Sequence, residues 1–334
     1  MFTLTSEITV GKFKFSGVNE VQIKRSIHSA IDTATIKLPA MGYLLKKDGK
    51  NTNAVITARQ FNAGDKVSIK LGYDGKLYEE FRGFVARVSQ DTPISVECEG
   101  YSYQLKTKNI SGFWAKPKLG DLIKEIVRDT DIKAEIISGS DIEFVNVRAD
   151  NKTGLEMLDI VLKATGGSVD AWFVEPDKLR VGLVYVPSGD ELKYNLQLPR
   201  VRYRLNFNAL QSNDLKVKVP LPVTVIVKNA ESKRDRNTDL LTETAVKNYA
   251  LNHMSKDALQ KIKDTLTLKQ SYKGYEGKMT AFLQPLCFPG YTAEITDDKY
   301  KDRNGDYLIE SVEVNFGTNG ARRTVEVGPK IAAQ

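Results

Sequence analysis

The chain has 334 residues, of which 41% are hydrophobic and 27% charged, with a formal net charge of +7. That length suits two to four compact units of about 100 residues each, and no run reaches the roughly 18 apolar residues of a membrane span. Two cysteines, Cys98 and Cys287, are too few for a disulfide framework or a zinc site, and the alternating N-terminus lacks the pattern of a secretory leader. The expected site of synthesis is the cytoplasm. The modest positive charge permits contact with nucleic acid or an acidic protein surface without demanding either.

The first segment, to about Tyr103, reads as strands separated by turn signals. Glu20 to Leu38 predicts a strand pair, and Met41 to Asn62, rich in Lys, Asn and Gly, predicts a long exposed loop. Phe61 to Ser89 is a hairpin: a strand follows Gly64-Asp65, Tyr73-Asp74-Gly75 turns, and a second strand runs through Phe81 to Val88. Asp-Gly is a strong hairpin signal because both turn residues must tolerate positive φ. In the strand Ile94 to Glu99, Ile94, Val96 and Cys98 share one face, with Ser95, Glu97 and Glu99 on the other. Cys98 is therefore expected as a small buried apolar residue.

From about Lys106 the period changes. Leu119, Leu122, Ile123, Ile126 and Val127 fall on one face of a helix. A second helix follows Thr153, whose spacing to Glu156 matches a capping box; it carries Leu155, Leu158 and Leu162 and stops at Gly166-Gly167. Strands are expected around these helices, up to about Gly189. The remainder returns to strands, passes a charged stretch from Asn229 to Asp239, and enters a helical region expected from Thr242 to about Leu266, bent near Ser255. A second hairpin starts at Pro289-Gly290, crosses a charged turn with Asn304-Gly305, and leads to a final strand, Arg322 to Val327.

The second hairpin is a weaker version of the first. The order predicts an α+β chain: a first small β-barrel domain over 1–105, an α/β module over 106–190, and a second, similar β-barrel domain over 191–334 with a helical insertion at about 240–270. The residues expected to shape the turns are Gly64, Gly72, Asp74 and Gly75 in the first hairpin, and Gly290, Asn304 and Gly305 in the second.

No catalytic constellation emerges. His28 and His253 fall in different segments with no partner at metal or triad spacing, and no Gly-rich loop opens a helix to hold phosphate. Asp297, Asp298, Asp302 and Asp306 miss the calcium-loop spacing and read as a solvated hairpin turn. No enzyme activity, cofactor, metal or small-molecule substrate is expected. Phe113, Trp114 and Trp172 are candidate contact residues, with packing against the α/β module as the plainer alternative. Two basic clusters, Lys46, Lys47, Lys50 and Lys233, Arg234, Arg236, are broken by acids and lack interleaved aromatics. They are candidate protein-interface residues. A nucleic-acid-binding β-barrel protein is the alternative reading.

The segments carrying Gly64, Asp65, Val67, Ile69, Leu71, Gly72, Tyr73, Asp74 and Gly75, then Phe81, Gly83 and Val85, then Glu99, Gly100, Tyr103 and Leu105 resemble the first domain of phage tail baseplate hub proteins. That family includes the late control D type and the hub part of VgrG proteins of type VI secretion. The stretch from Pro289 to Gly328 is similar to the family's second barrel. The resemblance implies a homotrimer whose two barrels per chain form a pseudo-sixfold ring between a sixfold tail tube and a threefold spike. Such joints need broad complementary surfaces instead of a catalytic cleft. Because the sequence ends soon after its last strand, a separate spike protein is expected as partner. The tape-measure protein and other baseplate proteins are further expected neighbours in a virion tail or phage-like particle.

Overall fold

The computed structural model describes residues 3–15, 17–45, 51–188, 191–194, 199–205, 210–218, 223–229, 245–251, 254–271 and 274–331. The fold is mostly β-sheet. The first part contributes β1 (Leu4–Val10), β2 (Phe13–Phe15), β3 (Glu20–Ser26), β4 (Ser29–Leu38), β5 (Met41–Leu45), β6 (Asn51–Ile56), β7 (Lys66–Tyr73), β8 (Lys76–Val88) and β9 (Ile94–Glu99). The middle holds α1 (Ser102–Thr107), β10 (Asn109–Trp114), α2 (Leu119–Val127), β11 (Lys133–Ile136), β12 (Val147–Thr153), α3 (Gly154–Ala164), β13 (Val169–Glu175) and β14 (Lys178–Leu183). The last part holds β15 (Tyr185–Ser188), β16 (Glu191–Tyr194), β17 (Arg200–Arg204), β18 (Leu210–Lys218), β19 (Val223–Asn229), β20 (Ala245–Leu251), α4 (Lys256–Ser271), β21 (Gly274–Ala281), β22 (Thr292–Thr296), β23 (Gly305–Gly317) and β24 (Gly320–Ile331).

One sheet of thirteen strands joins the first and last parts, in the order β18-β21-β24-β23-β3-β4-β9-β8-β7-β1-β2, with β22 on β23 and β17 on β22. Alternation puts one face of each strand inward: in β4, Ala34, Ile36 and Leu38 are buried while Thr33, Thr35 and Lys37 are not. The resulting apolar core is continuous from Ile8 in β1 to Val327 in β24. A second core lies between α2, α3 and the β11-β14-β13 sheet, where Leu122, Ile123, Ile126, Leu158 and Val161 meet Phe173, Leu179 and Val181. Thr153 caps α3 as its spacing predicts, accepting from the Glu156 N–H at 3.2 Å while Glu156 accepts from the Thr153 N–H at 2.8 Å.

Several expectations are corrected. The loop expected over Met41 to Asn62 contains the antiparallel pair β5 and β6, because the aromatic Tyr43 and the β-branched Val55 and Ile56 favour a pleated pair despite the Lys, Asn and Gly residues around them. The helix expected from Thr242 starts later. Ala245–Leu251 is a strand running parallel to β19, and α4 begins after Ser255, whose hydroxyl accepts from the Ala258 N–H at 3.3 Å. What the spacing marked as a bend is a helix cap. Ile262 and Leu266 of α4 pack into the α/β core, not into the core of the large sheet. Glu99 is only 5% exposed: α1 folds over the end of β9, bringing Ser102 Oγ to donate at 2.8 Å and Lys106 into an ion pair. No helix among the described residues is long and apolar enough to cross a membrane.

Candidate assembly interface

The two hairpins enter the sheet by the same backbone device. Asp65 N–H donates to Asn62 O at 3.1 Å, and Tyr291 N–H donates to Phe288 O at 3.1 Å. Each turn places a glycine third, Gly64 and Gly290, both at φ +88°, and Pro289 suits the second position of the later one. The glycine then ties to the return strand: Gly64 N–H to Val85 O and Gly290 N–H to Ile309 O, both 2.8 Å. The reciprocal bonds, Val85 N–H to Asp65 O and Ile309 N–H to Tyr291 O, are also 2.8 Å. One residue later both return strands bulge, at Ala86 in β8 and Glu310 in β23.

The turns at the far ends differ. Asp74 (φ +50°) and Gly75 (φ +82°) form the two-residue turn of the first hairpin, with Tyr73 paired to Lys76. At the second, Asn304 is extended (φ −64°, ψ 136°), so Asn304-Gly305 is not a two-residue turn, and only Gly305 has positive φ, +149°. The connection runs from Asp297 to Asn304 and is closed by side chains. Asp297, fully buried, accepts from the N–H groups of Lys299 (2.8 Å) and Tyr300 (3.0 Å), and Asn304 Oδ1 accepts from Asp297 N–H at 2.6 Å. Against the opposing effect of burial, the Tyr300 and Lys299 N–H bonds, together with Arg303, hold the Asp297 carboxyl below its usual pKa. The solvated turn expected here is thus a carboxylate-capped one. Gly72 sits where the β7 backbone crowds Lys76: an added Cβ would lie 1.7 Å from the Lys76 carbonyl oxygen.

Four sets of contacts lock the first part of the chain to the last. β3 pairs antiparallel with β23 from Ser26–Ser311 to Glu20–Gly317. The Tyr73 hydroxyl donates to Ala321 O at 3.1 Å and accepts from Leu283 N–H at 3.3 Å. Glu80, turned inward at a bulge in β8, accepts from Arg323 at 2.7 Å, with both side chains 1% exposed. Arg323 spends its other donors on Leu283 O (3.0 Å) and Cys287 O (3.1 Å). Burial pushes the Glu80 carboxyl above its usual pKa, and the Arg323 guanidinium opposes that shift. His28, in the β3–β4 turn, lies 3.1 Å from Asp170 of β13 and 3.6 Å from Glu310 of β23, and these carboxylates raise its pKa to about 9. On the same two strands, burial raises Asp32 of β4 to about 6 despite Arg25 of β3 at 3.5 Å.

Sequence reasoning missed this joint. Arg323 carried a usable signal, since it shares the inward parity of Val325 and Val327; Glu80 carried none, because its burial depends on the bulge. Trp172 is fully buried, and an added Cβ on Gly290 would meet its indole nitrogen at 3.0 Å, so it packs between modules, whereas Phe113 is 64% exposed. Lys46, Lys47, Lys50, Lys233, Arg234, Arg236 and His253 lie outside the described residues. Among the described residues no group of three or more His, Cys, Asp or Glu side chains is placed to hold a metal ion.

The family model described as YQBQ-like matches residues 40–327, most of the chain. The chain belongs to the YQBQ-like family. No curated protein sequence matches it. Solved structures share the fold of this YQBQ-like chain nearly end to end. The 43 kDa tail protein of prophage MuSo2 from Shewanella oneidensis has a TM-score of 0.64 at 12% identity, covering 99% of this chain and 100% of that one. A tail protein from Neisseria meningitidis gives 0.63 at 12%, covering 97% and 96%. An E. coli component of the type VI secretion system, described as structurally similar to T4 tail proteins gp27 and gp5, gives 0.60 at 11%, covering 97% and 77%. At these identities the likeness is one of fold, and the fold is that of phage tail proteins.

Proposed function

We propose that the protein is a structural hub at the tip of a phage-like, contractile tail. Three copies form a ring that joins a sixfold tail tube on one face to a threefold spike on the other. In this reading each chain supplies two small β-barrels, within 1–105 and 191–334, bridged by the α/β module, and the trimer presents six. The observation that carries it is the repeated ladder: the same entry turn, glycine tie and bulge recur about 224 positions apart (Val85 and Ile309) in one continuous sheet. A closed ring of internally duplicated subunits doubles its apparent symmetry, which suits a joint between sixfold and threefold partners.

The tail proteins and the secretion component sharing this fold support the same assignment. The role is mechanical, with no small-molecule substrate, and the protein is made in the bacterial cytoplasm before joining the particle. Lys46, Lys47 and Lys50, between β5 and β6, together with Lys233, Arg234 and Arg236, are proposed contacts to the tube or a neighbouring subunit, and the tape-measure protein is a further neighbour. Electron-microscopy class averages of the purified protein test the reading. Six-lobed rings are expected; isolated two-lobed particles under all assembly conditions would contradict it.

A further inference from the structure

The ladders allow the two β-regions to be superposed residue by residue. Val85 pairs with Cys98 where Ile309 pairs with Val327, each just before its bulge. Cys98 pairs with Ala34 of β4 where Val327 pairs with Gly277 of β21. Ala34 pairs with Ile23 of β3 where Gly277 pairs with Leu215 of β18. So β3 and β18 hold equivalent places, as do the ends of β8 and β23.

Within one chain, β3 is covered by β23, with Arg25 opposite Val312. The equivalent strand β18 pairs only with β21 among the described residues. The equivalent edge of β8 is open too: its pairing to β7 stops at Phe84, and beyond it Arg87 and Val88 pair with β9 alone among the described residues. Ser89 N–H turns toward β9, donating to Ser95 O at 2.8 Å, so by antiparallel alternation the Val88 backbone groups face the open side. Each chain thus contains one finished joint and the two separated halves of another.

We infer that β18 of one copy adds to the end of β8 in the next copy, with Val217 opposite Val88, reproducing Arg25 opposite Val312. This rests on the ring proposed above and names its intersubunit contact. A second observation points the same way. Val217 shares the inward face of Leu215, which is 6% exposed, yet is itself 63% exposed; its counterpart Arg25, under β23, is 8% exposed. An open edge strand showing an apolar inward-facing side chain is a template for another strand. The two halves of the joint lie on different edges, so the contact is head-to-tail and generates a ring when the rotation closes. The copied joint is shorter than the original. Seven residues of β23 pair with β3, whereas the chain beyond β8 bends at Asp91. The outer joints are therefore the weaker ones and gain from closure.

The test is oxidative cross-linking of the full chain carrying Val88→Cys and Val217→Cys. Opposed residues in an antiparallel pair lie about 4.5–5.5 Å apart at Cα, within reach of a disulfide. The native Cys98 and Cys287 are buried and do not compete. Val217→Cys with Tyr300→Cys, a pair of exposed sites with no such register, reads random collision. The expected result is a reductant-reversible species of three chains for the first pair and not the second, with Val217→Lys lowering the fraction of trimer in the otherwise native chain. A three-chain mass in light scattering, with the first pair forming no disulfide between chains, overturns the strand joint and leaves the ring standing. A single-chain mass with no cross-link overturns both.

Discussion

The two β-regions of this chain agree in the backbone bonds that lead into and along the joint between them and diverge at the hairpin tips and flanking strands. Both share the type II entry turn, the glycine tie and the bulge of the return strand. Yet β1 runs antiparallel to β7 whereas β17 runs parallel to β22, and a two-residue turn in one hairpin is replaced in the other by the Asp297-capped connection. The divergence lies at hairpin tips and flanking strands; the agreement lies on the strands that form the joint between regions. A repeat kept only there is what a ring of similar units requires, since each unit must offer its neighbour the same edge.

The sharpest way to break the comparison is at the buried pair that locks one region to the other. Arg323→Met leaves Glu80 buried without its cation and is expected to cost about 3–5 kcal/mol in urea unfolding, with much of that regained in the Glu80→Gln/Arg323→Met double variant. Failure of the double variant to recover would show that the packing of Arg323 and its bonds to Leu283 O and Cys287 O, not the charge pair, hold the regions together. The equivalent glycines sharpen the comparison next. Gly64→Ala meets only left-handed backbone strain, about 1–2 kcal/mol, because its added Cβ finds nothing nearer than the Tyr103 hydroxyl at 3.7 Å. Gly290→Ala adds the 3.0 Å approach to Trp172, so its loss in the same assay should be the larger. Equal losses would mean that the indole yields.

The smallest effect is electrostatic. The His28 pKa rises from 6.5 to about 9 in the folded chain, so its stabilisation is complete below the unfolded value and fades as pH rises through about 9. With the side chain 48% exposed, solvent screening limits the effect to about 1 kcal/mol or less. His28→Gln should flatten that part of the stability–pH curve, and an unchanged slope would show that the histidine does not pin the three regions.

What the sequence disclosed followed from local rules. Asp74-Gly75 announces its turn because both residues must adopt positive φ, and α2 and α3 announce themselves through period and the Thr153–Glu156 cap. What it concealed depends on partners distant in the chain. Strand β20 is set by its parallel neighbour β19, and Glu80 finds Arg323 across 243 positions with no local trace. Asn304-Gly305 misled because the same dipeptide can cap a turn through its side chain instead of forming one. The phage-tail likeness was legible because its markers are the turn glycines and hairpin strands that the fold reuses.

The most direct test is the mass of the full chain in solution, by light scattering behind a sizing column over a range of concentrations. The expected result is a closed species of three times 37.3 kDa that grows no further on concentration. A single-chain mass throughout, or open-ended growth without a three-chain plateau, would contradict the ring.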